Sequence, residues 1–249
     1  MMLLLPAAGR ATRLPALAGR SKACMPIGPG RAAADALLDT AATAGAERAI
    51  WLIRRAGHDI RTHYGAVHRG MPLHYHTLPD TGSTLETLQR ALASPALGLD
   101  RTTLALGFPD MQFRWPTALT EVHAHHLDTG ADLTLGCFET DRPDKVDMVA
   151  MDPTGPVQRL DIKSPTPAGT HAWILAVWQP RFTRFLLDRP PPPPHAERAA
   201  ERYIGHEIQA AIVAGLRVNA VRFDTPLLDL GTPEDLARAT AFWADGTVS

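Results

Sequence analysis

Short apolar runs alternate with amphipathic segments along the chain, and this alternation predicts an α/β protein. Apolar runs of strand length are typical of strands that are buried in a parallel sheet. The predicted strands cover residues 1–5, 50–53, 73–76, 102–106, 132–138, 144–151, 156–163, 173–178 and 216–223. Helical spacing of apolar residues predicts helices over residues 32–44, 58–64, 85–93, 115–127, 181–188, 197–214 and 233–242. Strands and helices therefore follow one another in the order that layered α/β folds require.

The loop after the first predicted strand has the composition of a phosphate-binding loop. Small residues let the backbone approach a ligand closely, and backbone N–H groups outside a ladder can bond anions. The small residues, the cations and the hydroxyl of this loop are Ala7, Ala8, Gly9, Arg10, Arg13, Arg20, Lys22 and Thr12. A solvated surface turn is the alternative interpretation. No Gly-Lys-Ser/Thr occurs, which excludes a P-loop, and Pro29 in the loosely matching segment 28–33 indicates an ordinary turn before a helix.

Composition narrows the classes of protein that the chain can belong to. With 249 residues, 45% hydrophobic and 20% charged, it can form one large α/β domain or two small ones, and we expect a single domain over residues 1–249. A net charge of −1 creates no field that would attract nucleic acid or an anionic membrane. Two cysteines give no disulfide framework, and no signal peptide or membrane-spanning run occurs, so a cytoplasmic protein is expected.

Two aspartates are candidate metal ligands. Asp110 closely follows the strand over residues 102–106, where open parallel sheets bind ligands, and hard divalent cations prefer carboxylate oxygens. A turn or helix-capping aspartate is the alternative for this residue. Asp229 interrupts a hydrophobic strand, and a buried carboxylate needs a cation or a hydrogen-bonded turn to hold it. The next helix begins clearly, because Thr232 is a good N-cap and Asp235 lies three residues after it.

Three other segments give weaker indications of a ligand site or of local structure. The turn-rich loop over residues 78–84 leads into a helix whose N-terminal amides could face a ligand. His123, His125 and His126 lack the spacing of a zinc site, which predicts a solvated helix face. Five prolines over residues 190–194 predict a stiff polyproline II connection.

The helix after the prolines is predicted to bury one side. Its apolar residues at helical spacing are Ile204, Ile208, Ile212 and Val213.

Four elements of the chain, in order, resemble the sugar-phosphate nucleotidyltransferases, the nucleotide-sugar pyrophosphorylases of the glucose-1-phosphate thymidylyltransferase type. AAGRATRL, a spacer, a lysine and MPIG resemble the family's Gly-x-Gly-Thr-Arg loop and Pro-Lys. LLDLGTPEDLARA is similar, almost residue for residue, to the family's second magnesium-binding segment. Asp110 and Lys163 complete a match that spans residues 3–235. The resemblance implies a three-layer α/β/α sandwich with a Rossmann-like, mostly parallel sheet and a small antiparallel extension.

The resemblance also implies roles for particular residues. Mg²⁺ would be held by Asp110 and Asp229, and the sugar-phosphate by Lys163 and Trp173 in a part that covers roughly residues 140–180. Catalysis would involve Arg13, Lys22, Asp110 and Lys163. The residues expected to bind the nucleotide are Ala7, Ala8, Gly9, Arg10, Thr12, Arg13 and Gly82. For Gly82, a plain helix-entry turn is the alternative, and for Lys163 an exposed lysine at a strand end.

The chain departs from the family pattern at four positions. Ala11 replaces a glycine and Ser21 a proline in the N-terminal loop, while Ile162 replaces a glutamate and Asp147 a glycine of the sugar pocket. We therefore expect Mg²⁺-dependent transfer of a nucleotidyl group from a nucleoside triphosphate to a sugar-1-phosphate. The alternatives are a non-sugar phosphate acceptor, or a regulatory protein that binds nucleotide or nucleotide-sugar without turnover. The base, the acceptor and a homo-oligomeric state stay open.

Overall fold

The apolar first strand lies inside a ten-stranded mixed sheet. The computed structural model describes residues 1–8, 20–55, 57–190 and 202–244. The strands are β1 (Met2–Ala7), β2 (Pro26–Gly28), β3 (Arg31–Ala32), β4 (Arg48–Arg54), β5 (Val67–His68), β6 (Met71–Leu78), β7 (Leu104–Gly107), β8 (Met111–Gln112), β9 (Leu133–Glu139), β10 (Asp147–Met151), β11 (Val157–Ile162), β12 (His171–Trp178), β13 (Val218–Pro226) and β14 (Leu228–Asp229). The helices are α1 (Asp35–Thr43), α2 (His58–Tyr64), α3 (Thr84–Leu92), α4 (Ala118–Thr129), α5 (Pro180–Asp188), α6 (Ile204–Val213) and α7 (Pro233–Ala244).

The main sheet has the order β11-β10-β12-β7-β1-β4-β6-β5, and β9 joins it by pairing with β12 and with β13. β7, β1, β4 and β6 run parallel to one another, as do β9 and β13. β12 is antiparallel to both β7 and β9, and it leads to the antiparallel pair of β10 and β11. The predicted mostly parallel sheet with an antiparallel extension is confirmed.

Helices cover both faces of this sheet, which explains why its strands are apolar on both sides. From β1, Met2 and Leu4 pack in the core beneath α3, α5 and α6. The alternate residues Leu3 and Leu5 pack in the core beneath α1, α2 and α4. Because strand side chains alternate between faces, a run that is buried on both faces has to be continuously apolar. The predicted three-layer α/β/α sandwich is confirmed. Within the described residues, no helix is both long and apolar enough to cross a bilayer.

The end of β7 packs tightly beside the loop that carries Asp110. A Cβ added at Gly107 would overlap the side chain of Leu37, with the farther methyl carbon at 2.8 Å, and would lie 3.2 Å from a methyl carbon of Leu175. Glycine at this position therefore lets α1 and β12 close on the strand that leads into the loop.

Three local predictions are wrong in part. The first helix begins at Asp35 and not at residue 32, because Ala32 pairs with Pro26 in the hairpin of β2 and β3, and its N–H donates to the Asp35 carboxylate at 2.8 Å. The turn at Pro29 is therefore confirmed, but it connects two strands. In α6, the side chain of Val213 is 79% exposed and does not join the buried isoleucines.

The predicted solvated face of α4 is wrong for His126, which is fully buried. Its Nδ1 lies 3.0 Å from the hydroxyl of Thr134, and its Nε2 lies 3.0 Å from the side-chain amide of Gln179. An amide N–H that donates to Nε2 leaves Nδ1 protonated and donating to the hydroxyl. Burial lowers the pKa of His126 to about 4, so the ring is neutral at pH 7.

Candidate functional site

A polar cavity of about 630 Å³ lies beyond the carboxyl ends of β7 and β14. Segments that are far apart in the sequence meet there. Its cationic side chains are Lys22, Arg142, Lys145, Lys163 and Arg202. Its carboxylates are Asp110, Asp144, Asp147, Asp229 and Asp235. Such a mixture of charges suits a ligand that carries several phosphates together with hydrogen-bonding groups.

Asp110 and Asp229 are brought together by a small two-stranded sheet. β14 pairs antiparallel with β8, so that Asp229 lies opposite Met111, the residue after Asp110. The N–H of Leu230 donates to the carbonyl oxygen of Asp110 at 3.1 Å. Both aspartates line the cavity. The pairing of β8 and β14 therefore brings the backbones of these two distant residues next to each other.

Lys22 reaches Asp110 from the segment after the N-terminal loop. Its Nζ lies 3.0 Å from Oδ2 of Asp110, and the two side chains are 18% and 26% exposed. A short 3-10 helix (Lys22–Cys24) carries the lysine. This turn is held on one side by Ser21, whose hydroxyl donates to Asp59 at 2.9 Å, and on the other by Tyr64, whose hydroxyl donates to the carbonyl of Ala23 at 2.9 Å. The lysine thus projects from a fixed turn.

Lys163 lines the same cavity and directly follows β11 in the chain. Its backbone has the left-handed φ of 45°, which is uncommon for a residue other than glycine. Its Nζ lies 3.4 Å from the centre of the Tyr203 ring, a cation–π contact. Trp173 also lines the cavity and is 5% exposed. The two residues predicted to contact the sugar-phosphate therefore share one cavity with Asp110 and Asp229.

The wall beside Asp229 is built on an ion pair at the start of α7. Arg142 Nη1 lies 2.6 Å from Oδ1 of Asp235, and Oδ2 of Asp235 accepts from the hydroxyl of Thr232 at 2.8 Å. Burial raises the pKa of Asp235, but the hydrogen bonds from Thr232 and the charge of Arg142 outweigh it and hold the pKa below its usual value. The carboxylate therefore stays charged and fixes the guanidinium at the cavity.

Arg202 also lines the cavity, and it is held by a buried glutamate. The Arg202 Nε donates to Oε1 of Glu207 at 3.1 Å, and Nη1 donates to the carbonyl of Pro190 at 2.9 Å. Arg189 donates to Oε2 of the same carboxylate at 2.8 Å. Glu207 is fully buried, so its two oxygens act as a fixed anchor for both arginines.

Three of the remaining predicted nucleotide-binding residues are described by the structure. Ala7 ends β1 and Ala8 follows it, both half-buried. The predicted residues Gly9, Arg10, Thr12 and Arg13 lie outside the described part of the chain. Gly82 precedes Ser83, which lines the cavity, and the Gly82 N–H donates to the carboxylate of Glu86 at 2.6 Å.

Sequence reasoning missed much of the charge around the cavity. Arg142, Lys145 and Arg202 belong to no recognisable motif, and Asp235 was explained fully by its capping role. That role is present, since the N–H of Asp235 donates to the Thr232 hydroxyl at 3.2 Å. The available signal was the density of charged residues over 139–147, which is unusual next to a buried strand.

A second cluster of possible ligand atoms lies outside this cavity. Glu139, His171 and Asp224 place one ligand atom each within 4.8 Å of one another, at the edge of a separate cavity of about 910 Å³. Arg222 already pairs with Asp224, its Nε 3.0 Å from Oδ1. A cation at this cluster would therefore compete with a guanidinium.

The cavity that contains Asp110 and Asp229 fits a hard divalent cation better than this cluster does. Asp110 and Asp229 supply carboxylate oxygens from adjoining strand ends. Mg²⁺ is usually held by one or two carboxylates, and water and phosphate oxygens complete its octahedron. The donor set of these two residues is of that kind.

Comparison with known proteins identifies the fold. No protein-family model and no curated protein matches the chain. Among solved structures, it resembles a Bacillus anthracis protein assigned as a glucose-1-phosphate thymidylyltransferase, in complex with a sucrose, with a TM-score of 0.83 and 13% identity over 100% of this chain and 98% of that one. A UDP-glucose pyrophosphorylase complexed with UDP-glucose gives 0.82 and 14% over 99% of each chain. A UDP-glucose pyrophosphorylase from Acinetobacter baumanii gives 0.76 and 16% over 97% and 92%. The fold of this chain is therefore that of the sugar-phosphate nucleotidyltransferases, as the sequence predicted.

Proposed function

We propose that the protein transfers a nucleotidyl group from a nucleoside triphosphate to a sugar-1-phosphate in the presence of Mg²⁺, giving an NDP-sugar and pyrophosphate. One observation carries the proposal. Lys22, Asp110, Lys163 and Asp229 come from four distant segments, and all of them line one cavity. The solved structures that share this fold include a thymidylyltransferase and UDP-glucose pyrophosphorylases, which supports the same class of reaction.

The reaction joins two anions that repel each other. An oxygen of the acceptor phosphate attacks the α-phosphorus of the triphosphate, a new P–O–P linkage forms, and the bond to the β-phosphate breaks to release pyrophosphate. We assign the triphosphate and the leaving pyrophosphate to Lys22, together with Arg13, and the acceptor phosphate to Lys163. Both residues line the cavity, so that each ammonium group is available to hold one anion.

Asp110 and Asp229 are the residues that would hold the metal. The chemistry that Mg²⁺ supplies when bound is neutralisation of phosphate oxygens and stabilisation of charge on the α-phosphoryl group. The protein itself contributes positions and charges and forms no covalent bond, as is usual in phosphoryl transfer. Arg142 and Arg202 are anchored by carboxylates and add positive charge at the rim.

Pyrophosphate release tests this function. The purified chain is incubated with each nucleoside triphosphate, Mg²⁺ and a panel of sugar-1-phosphates. We expect turnover with at least one pair, and a loss of about 100-fold or more in Asp110→Asn and in Asp229→Asn. Asp128→Asn, at an exposed position on α4, is the control and should retain activity.

Two results would contradict the proposal. Silence across the panel, without triphosphate binding, would reject a nucleotidyltransferase. Tight nucleotide binding without turnover on any phosphate acceptor would indicate a regulatory protein. Turnover on phosphorylated alcohols alone would support the nucleotidyl transfer but show that the acceptor is not a sugar. This outcome is tested because Asp147 and Ile162 depart from the sugar-pocket residues of the family.

A further inference from the structure

Three strand ends place a histidine and two carboxylates together, outside the cavity of the proposed reaction. His171, the first residue of β12, lies directly opposite Glu139, the last residue of β9. Residues that are opposite each other on paired strands share a face of the sheet. β13 contributes Asp224, at the point where its register against β9 shifts after Phe223, and such irregularities re-aim side chains. One possible ligand atom from each of the three residues lies within 4.8 Å of the other two.

The imidazole of His171 has the surroundings of a metal ligand. The residue is 4% exposed, and its Nδ1 lies 2.8 Å from the hydroxyl of Thr170. Metal-ligating histidines donate their other ring N–H to such a polar group, which orients the ring. Nε2 lies 3.3 Å from Oδ1 of Asp224, about the separation of two ligand atoms in a tetrahedral shell with bonds of about 2.0–2.1 Å. The same distance also allows Nε2 to donate a hydrogen bond to Asp224, and a metal titration distinguishes the two roles.

The charges that line the adjoining cavity of about 910 Å³ favour a bound cation. Arg238 pairs with Asp141, and Arg222 pairs with Asp224. Glu139 pairs with no arginine or lysine of the described residues, so three carboxylates face two guanidinium groups. The side chains of Arg222 and Asp224 are 57% and 62% exposed. Their ion pair is therefore worth at most about fivefold in a binding constant, and a metal ion can displace it.

We propose that Glu139, His171 and Asp224 bind one Zn²⁺ ion, with its fourth coordination position open to this cavity. Zn²⁺ is bound in proteins by imidazole nitrogen and carboxylate oxygen, and three protein ligands leave such a position for water. Mg²⁺ prefers oxygen ligands alone, which is the set that Asp110 and Asp229 supply. The two cavities therefore differ in the metal that they select. This inference does not depend on the proposed function.

The ion would tie together three strands beside the site of the proposed reaction. The N–H of Leu227 donates to the carbonyl oxygen of Glu139 at 2.8 Å, and the chain then continues directly into β14, which ends at Asp229. Zn²⁺ would join the ends of β9, β12 and β13 at the point from which β14 departs. Its role is therefore structural, because it stabilises the strand ends that lead to Asp229.

Calorimetric titration with Zn²⁺ tests the site in the full, untagged chain after treatment with a chelator, with Mg²⁺ present in excess. We expect Asp224→Asn and His171→Gln each to weaken the binding of one Zn²⁺ by about tenfold or more, because even the outer partners of metal ligands contribute about 10–100-fold. Arg222→Gln should instead tighten binding, by up to about fivefold, because it removes the guanidinium group that competes for Asp224.

Two variants are matched controls. His68 also lies beside a carboxylate that an arginine holds, since its Nε2 is 2.8 Å from Oδ1 of Asp39 and Nε of Arg69 is 2.8 Å from the same oxygen. No third possible ligand of the described residues joins that pair, so His68→Gln should leave Zn²⁺ binding unchanged. Asp110→Asn should also leave it unchanged, because that carboxylate lines the other cavity.

Thermal unfolding gives a second measurement of the same site. Zn²⁺ at about 100 times its Kd should raise the Tm of wild type by roughly 5–10 °C and leave the Tm of Asp224→Asn nearly unchanged. Because the side chain of Asp224 is 62% exposed, this variant keeps the fold even if the substitution of the buried His171 does not.

Three results would overturn the inference. Absence of Zn²⁺ binding by wild type would leave His171 with only its hydrogen bond to Asp224. Binding that is unchanged in Asp224→Asn and in Glu139→Gln would show an adventitious ion only. Loss of binding in Asp110→Asn would assign the ion to the cavity of the proposed reaction.

Discussion

Replacing Glu207 by glutamine tests whether one buried carboxylate holds the Arg202 wall of the cavity. The side chain is 1% exposed, and each of its oxygens accepts a hydrogen bond from a different arginine. Glutamine has nearly the same volume, so the substitution removes the charge and converts one acceptor into a donor that faces a guanidinium. The change therefore isolates the electrostatic contribution from packing.

The expected loss follows from burial. Removing one partner of a buried ion pair costs about 3–5 kcal/mol. The side chains of Arg189 and Arg202 are 40% and 24% exposed, so water can replace part of the lost interaction. We expect the lower value, about 3 kcal/mol. For a chain of this size that corresponds to a fall in Tm of roughly 6–12 °C.

Urea unfolding of wild type and Glu207→Gln measures the difference directly. Asp100→Asn is the matched control, because Asp100 pairs with Arg101 at 3.7 Å and the two side chains are 64% and 92% exposed. An exposed pair contributes under about 1 kcal/mol. The reasoning is refuted if Glu207→Gln loses no more stability than Asp100→Asn.

Three further predictions concern stability and reactivity. Gly107→Ala should lower the free energy of unfolding in urea by about 1–3 kcal/mol, because its Cβ would overlap the side chain of Leu37. Gly28→Ala is the control and should be nearly neutral, since the nearest contact of its Cβ is at 3.6 Å. Equal effects of the two substitutions would contradict this reasoning. In the folded protein the ring of His126 takes up a proton only near pH 4, whereas in the unfolded chain it does so near pH 6.5. The free energy of unfolding should therefore fall by roughly 3 kcal/mol as the pH drops from 6.5 towards 4. Urea unfolding of wild type and His126→Gln across this pH range should show that the variant lacks this part of the decrease. Burial, with nearby carboxylates, raises the pKa of Cys24 to about 12, and burial alone raises the pKa of Cys137. Both thiols should therefore react with a thiol reagent at pH 8 much more slowly in the native chain than in the unfolded chain. Equal rates in the two states would contradict this.

The strands of the sheet could be predicted from local sequence because their burial is two-sided. The run over residues 1–5 and the run over 173–178 are apolar on both faces, and both became strands within two residues of their predicted bounds. The start of α7 was also predictable, since Thr232 caps it as the sequence indicates. Such features depend on neighbours along the chain.

The predictions of burial were wrong where segments distant in the sequence determine whether a side chain is buried. His126 has a polar side chain on a helix, but α4 packs on β9, and Thr134 satisfies the buried ring from there. Val213 is apolar at the right spacing for burial, yet it comes at the exposed end of α6. Helical periodicity gives the buried side of a helix, but it does not report where the neighbouring elements stop.

The amino-acid sequence by itself determined the alternation of strands and helices, the layered fold and the identity of Lys22, Asp110, Lys163 and Asp229 as candidates. These depend on local apolar patterning and short motifs. The tertiary structure alone decided that those residues share a cavity with charged side chains that belong to no motif, and that Asp147 faces the same space. The reason is physical: a carboxylate acquires its chemistry from burial and from partners that the fold brings from elsewhere in the chain.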